Sequence, residues 1–241
     1  MALKSISYQN KTFDIAYDIV NPTAKKDIVF LHGWGSNKEI MKMAFSHYLK
    51  AFRHIYIDMP GFGKSMNSSV LTTQEYASII EAFLLQIDSD KKSLSIAGHS
   101  YGGKVATLLN PKNLILLSSA GILEKKSCKV RMKIKLAKLL NVLGLGKITR
   151  RFRSKDVQAM SQNMYETFKN VVNEDFSTAF ENYTGNAYIF WGEQDTATSL
   201  ASGQKIASLI KNSAFTSYRG DHYFFCEHAN DITQRLENAI L

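Results

Sequence analysis

The stretch that decides the fold is SLSIAGHSYGGKVATLL, residues 93–109. An apolar run, Leu94 to Ala97, leads into a serine at position 100, and a small-residue segment of helical character follows at once. A strand that ends near Ala97 and turns into a helix near Tyr101 must reverse within two or three residues. That holds the central residue in a strained backbone conformation and demands small neighbours, a demand met by Gly98 and Gly102. The Ser100 hydroxyl is then presented at the carboxyl end of a sheet over a helix N-terminus, where backbone N–H groups and the helix dipole favour a developing negative charge.

Working outward from this turn, the chain alternates between the two periods of regular structure. At the start, Phe13, Ile15, Tyr17 and Ile19 alternate after Gln9-Asn10-Lys11, which predicts a hairpin with an apolar face. The short continuous apolar runs Ile28–Leu31, Ile55–Ile57, Leu94–Ala97, Leu114–Leu117 and Ala187–Trp191 suit strands buried on both faces of a largely parallel sheet. Between them lie helical patterns, of which 72–87 is the clearest. Thr72 and Glu75 form a capping box there, and Tyr76, Ile79, Ile80, Phe83, Leu84 and Ile87 recur at helical spacing. A helix near 200–210, a strand at 215–218 and a last helix from about Glu227 complete the pattern. Strand and helix in alternation predict a three-layer α/β fold, a mostly parallel sheet with helices on both faces.

From 122 to 183 the alternation breaks. That stretch is helix-rich and free of proline, and it reads as a helical insertion over the sheet, dividing the core into 1–121 and 184–241. It also carries the charge. The chain has a net charge of +9, yet twelve lysines and arginines fall between Lys125 and Lys155, so the remainder is slightly acidic. Within it, Cys128–Lys147 has a broad apolar side through Ile134, Ala137, Leu139, Leu140 and Leu143, with Lys135 and Lys138 opposite. A solvated outer face and a surface for an acidic protein or an anionic membrane are the two readings of that run. Nucleic acid is not expected, because no recognition motif accompanies the charge. Cys128 and Cys226 are far apart and lack paired Cys/His spacing, which argues against a disulfide framework and against structural zinc. With neither a signal-peptide-like start nor an apolar run long enough to span a bilayer, a cytoplasmic location is the expectation.

A serine hydroxyl is barely nucleophilic until an imidazole takes its proton, and that imidazole needs a carboxylate to fix its tautomer. His222, in YRGDHYFF, and Asp195, in FWGEQDTA, each stand just after a predicted strand, and the chain order Ser100, Asp195, His222 is that of a nucleophile-elbow hydrolase. Glu193 and Asp221 are the competing acids, and Asp195 could also serve to cap a helix. IVFLHGWGSN, residues 28–37, places a Gly-rich turn after an earlier strand, where the backbone N–H of Trp34 could join that of Tyr101 as an oxyanion donor. His32 in the same turn reads as structurally packed. DMPGFGKS, residues 58–65, looks like a phosphate loop only superficially, since the glycine required five residues before Gly63 is Asp58. Asp58 and its glycines are therefore expected to shape a loop. Trp34, Tyr101, Tyr223 and Phe224 flank the site, either as substrate contacts lining an apolar acyl pocket or as part of the core.

These motifs resemble those of the α/β-hydrolase superfamily over almost the whole chain. Gly98–Gly103 is similar to its nucleophile elbow, His32-Gly33-Trp34-Gly35 to its oxyanion loop, Asp58–Ser65 to its structural loop, and Asp195 and His222 to its acid and base. His-Gly-Trp-Gly together with Asp-Met-Pro-Gly-Phe-Gly-Lys-Ser is most similar to the pimeloyl acyl-carrier-protein methyl ester esterases, and the chain also resembles the meta-cleavage product hydrolases. The resemblance implies an α/β-hydrolase fold with an inserted lid that sets substrate choice. It implies ester or thioester hydrolysis on small or carrier-bound acyl groups, without metal or organic cofactor. Carbon to carbon bond hydrolysis by the same triad and a non-catalytic ligand-binding protein are the alternatives. One departure is that only Asn110–Asn113 separate Leu109 from the next strand, which predicts a short helix after the serine.

Overall fold

The computed structural model describes residues 1–89, 93–124 and 160–240. Its strands are β1 (Ala2–Tyr8), β2 (Lys11–Val20), β3 (Lys26–Leu31), β4 (Phe52–Ile57), β5 (Ser95–His99), β6 (Asn113–Leu117), β7 (Asn186–Gly192) and β8 (Ser213–Tyr218). They form one sheet in the order β1-β2-β4-β3-β5-β6-β7-β8. β2 runs antiparallel to both β1 and β4, and all other neighbours are parallel. The hairpin closes through Gln9 and Asn10, whose φ values of 47° and 60° are the positive ones that a two-residue turn of this hand requires. Phe13 and Ile15 point into the core as their alternation predicts, but Ile19 is 37% exposed. At that end β2 is buried instead through Asp18, which binds Lys42 Nζ at 2.9 Å and the N-terminal ammonium at 2.8 Å.

The apolar runs of the central strands divide between two cores because successive side chains leave a strand on opposite faces. Val29 and Leu31 join Ile55, Ile57 and Ile96 on one face, and Ile28 and Phe30 join Tyr56, Ala97 and Ile115 on the other. The first face is covered by α2 (Thr73–Gln86) and α3 (Tyr101–Leu109), the second by α1 (Lys38–Phe45) and, from the chain's end, by Phe225–Ile240. The Thr72–Glu75 capping box is present at the start of α2. α3 is nine residues long and ends at Asn110 in the left-handed region, which turns the chain straight into β6.

Between β6 and β7 the described residues contain α4 (Gln162–Val171) and α5 (Ser177–Glu181), and α6 (Leu200–Leu209) and α7 (Phe225–Ile240) follow. The basic residues from Lys125 to Lys155, and with them the amphipathic stretch Cys128–Lys147, lie outside the described residues. α4 is tied to the core by polar contacts: Leu71 N donates to Thr167 Oγ1 at 3.0 Å, and Asn163 Nδ2 to Asn67 O at 2.9 Å. Asp58 shapes its loop as expected, accepting Lys38 N at 2.7 Å and Lys64 N at 3.0 Å, while Ser65 Oγ donates to its carbonyl at 2.6 Å. No helix among the described residues is long and apolar enough to cross a membrane.

Candidate active site

Ser100 is the pivot between β5 and α3, with φ 51° and ψ −115°. A non-glycine residue in such a conformation costs about 1–3 kcal/mol and persists only where its surroundings enforce it. Here Ser100 N donates to Leu117 O at 3.1 Å, and Ser100 O accepts from Gly103 N at 3.1 Å and Ala120 N at 3.0 Å. The flanking glycines are required by contact. A Cβ on Gly98 would lie 2.4 Å from Gly102 O, and one on Gly102 would lie 2.5 Å from Leu31 O, so strand, helix and neighbouring loop could not close together. Tyr101 is the first residue of α3, so its backbone N–H is one of those that a helix leaves without an internal partner.

His222 and Asp195 meet at the carboxyl ends of β7 and β8. His222 Nδ1 donates to Asp195 Oδ2 at 2.7 Å, which leaves Nε2 as the nitrogen with a free lone pair. Asp195 is 7% exposed and also accepts Ala197 N at 2.8 Å, Thr198 N at 3.0 Å and Thr198 Oγ1 at 2.9 Å. Burial pushes its pKa up, but the bonds from His222 and Thr198 outweigh it and hold the carboxyl at about 2. The competing acids are engaged elsewhere: Glu193 accepts Ser217 Oγ and Asp221 accepts Tyr223 N. Among the described residues no hydrogen bond joins Ser100 Oγ to His222 Nε2. Such bonds are commonly long without substrate and tighten when it binds.

Two further histidines brace this arrangement. His99 Nε2 donates to the backbone oxygen of His222 at 3.0 Å, and the two rings lie 4.5 Å apart. His32 donates from Nδ1 to Gly33 O at 2.8 Å and accepts Met59 N on Nε2 at 3.1 Å, tying the Gly33-Trp34 turn to the loop after β4. Burial lowers the pKa of His99 to about 3, with the nearby His222 acting in the same direction, and that of His32 to about 4. Both are therefore neutral in the fold, whereas in the unfolded chain they take up protons below about pH 6.5. Because the unfolded state binds more protons between that value and each folded value, stability falls as the pH drops through this window. Acidification from pH 7 to about 4.5 is expected to remove about 5 kcal/mol, some 2–3 for each ring. Urea unfolding midpoints at several pH values check this, and midpoints that do not move would contradict it. Asp195, with its pKa lowered, adds a separate loss only between about pH 4 and 2.

Beside Ser100 opens a cavity of about 570 Å³, with Trp34 and Tyr101 in its wall together with Phe168, Lys104 and Glu174. Trp34 packs edge-on against Tyr101 at 5.4 Å and tilted against Phe168 at 5.4 Å. Of the four expected substrate contacts, these two line the cavity and the other two do not. Phe224 is 2% exposed and stacks on Tyr218 in the second core cluster, because the helix that follows His222 turns it under the sheet. Tyr223 packs against His99 and His222 at 5.1 and 5.6 Å and is 41% exposed. The pocket is also less apolar than the aromatic residues suggested, since Lys104, Glu124 and Glu174 reach it. Sequence reasoning missed Thr198, although the Asp-x-x-Thr spacing of a side-chain-capped turn was there to be read. Among the described residues no group of three or more His, Cys, Asp or Glu side chains could hold a metal ion.

A model of the alpha/beta hydrolase family matches residues 28–229, the whole span from β3 into α7. The chain belongs to the alpha/beta hydrolase family. Among curated relatives, a pimeloyl-[acyl-carrier protein] methyl ester esterase of Proteus mirabilis is 33% identical over 93 residues, which are 37% of this chain and 34% of that protein. The chain thus matches about a third of that relative's length. Solved structures of this alpha/beta hydrolase fold align over nearly the whole chain. An esterase from Exiguobacterium antarcticum gives a TM-score of 0.75 at 19% identity, covering 98% of each chain. A thermophilic esterase from Thermogutta terrifontis gives 0.74 at 17% identity, covering 99% of this chain and 97% of its own.

Proposed function

We propose that the protein is a serine hydrolase that cleaves a carboxylic ester or thioester through an acyl-enzyme on Ser100. The observation that carries this reading is the 2.7 Å bond between Asp195 and His222, taken together with a serine held at φ 51° on a helix N-terminus. His222 Nε2 takes the Ser100 proton as Oγ attacks the carbonyl carbon. The oxyanion is received by the backbone N–H groups of Tyr101 and Trp34, and the leaving group departs with the proton from His222. Water then enters by the same steps in reverse order and releases the acid. Asp195, ionised at any pH above about 2, holds the imidazole in the productive tautomer and stabilises its charged form.

The acyl group is small or carrier-bound in this reading. The partial similarity to esterases named for a carrier-protein substrate supports the second option, as does the basic run 125–155, which complements an acidic carrier. Residues 122–183 act as the lid. A fluorophosphonate probe combined with a series of p-nitrophenyl esters from acetate to decanoate tests the proposal. The expected result is stoichiometric labelling of Ser100 and a maximum in kcat/KM within the series; no labelling and no turnover of any ester would reject it.

A further inference from the structure

The cavity wall carries a charge arrangement that acyl transfer itself does not use. Lys104 stands one turn beyond Ser100 on α3, and its side chain is 2% exposed. Its ammonium donates to Glu174 Oε2 and to Val171 O, both at 2.6 Å, and lies 4.6 Å from the centre of the Phe176 ring. Val171 is the last residue of α4, so its carbonyl is among those a helix leaves without an internal donor. Thr73 Oγ1 donates to the same Glu174 oxygen. A second carboxylate in the wall, Glu124, accepts Ser199 N and Ser202 Oγ at 2.7 Å each. Among the described residues that line the cavity, Lys104 is the one cation, and two carboxylates stand with it.

Resting on the serine hydrolase reading, we propose that Glu174 determines specificity: by neutralising Lys104 in the cavity wall, it makes the site take uncharged acyl chains and turn away chains that end in a carboxylate. A carboxylate leaving water for such a site needs a cation that is not already matched. Here it would find an ammonium already bonded to Glu174 and would face Glu174 and Glu124 as like charges. Removing the Glu174 charge while keeping its shape leaves Lys104 unmatched, and the preference should then move toward anionic chains.

The test compares p-nitrophenyl hexanoate with p-nitrophenyl hydrogen adipate, which differ in a terminal methyl against a carboxylate. The kcat/KM ratio is measured in the unsubstituted protein, Glu174→Gln, Lys104→Met and the double variant. Calorimetric binding of hexanamide and adipamate, the corresponding amides, gives the same ratio without turnover. Each ratio is taken within one preparation, so partial loss of folded protein cancels, and Glu174→Ala stands in should the glutamine variant fail to fold. Glu174→Gln is expected to raise the anionic-to-neutral ratio about tenfold or more, equivalent to about 1.4 kcal/mol. Lys104→Met should lower the ratio, and the double variant should return near the starting value. A ratio in Glu174→Gln within about twofold of the unsubstituted protein in both assays overturns the proposal. If neither ester is turned over but amide binding shows the shift, the hydrolase reading fails and this one stands; no turnover and no amide binding would overturn both.

Discussion

Ser100→Ala is expected to lower kcat/KM for ester hydrolysis by about 10⁴-fold or more and to abolish labelling by a fluorophosphonate, while the fold is left intact. The size of the loss follows from chemistry: without Oγ no acyl-enzyme forms, and only oriented water and the oxyanion donors remain. The small effect on stability follows from geometry. Alanine keeps the Cβ that already sits at φ 51°, so no new backbone strain arises, and the Ser100 side chain makes no capping bond that its loss would break. Unfolding free energy should therefore change by no more than about 0.5 kcal/mol. Denaturant unfolding measured beside the kinetics separates the two effects. If the variant still labels at the original rate, the nucleophile lies elsewhere and the proposed reaction falls.

Asp195→Asn is the second large effect, a loss of about 10⁴-fold in kcat with KM moved by no more than a few fold. An asparagine oxygen can still accept Ala197 N and Thr198 N, so the turn after β7 survives. The amide N–H₂ now faces His222 Nδ1, which must accept rather than donate. The ring proton moves to Nε2, the atom that has to receive the Ser100 proton. Steady-state kinetics against an activated ester, with circular dichroism as a check on the turn, would measure the drop. A kcat within tenfold of the unsubstituted protein would reduce Asp195 to a turn-forming residue, the role its two backbone bonds already give it.

How much could be read in the chain depended on whether a residue's partners were near it in sequence. The strands at 28–31, 55–57 and 114–117 were visible because burial on both faces writes an unbroken apolar run. The helix at 73–86 was visible because its capping box needs only Thr72 and Glu75. The same rules set Ile19 on the apolar face of its strand, where it is 37% exposed, and left Phe224 open between substrate contact and core. Apolar character marks a side chain for burial or contact without saying which surface receives it, and Asp18 rather than Ile19 meets neighbours at the end of β2. The braces around the site were not legible either. His99 meets the His222 carbonyl 123 positions away, and Lys104 meets Glu174 70 positions away.

By itself the sequence determined the alternation of strand and helix, the turn at Ser100 and the order in which serine, acid and imidazole follow, because period, glycine spacing and order are properties of a one-dimensional string. Only the tertiary structure decided which of three carboxylates reaches His222, which of four candidate residues line the cavity and which charge faces Lys104. Those choices depend on distances of 2.6–2.7 Å between atoms carried on separate elements. Such distances are set by how β7, β8, α3 and α4 pack, and no local pattern in any one of them encodes its neighbour's position.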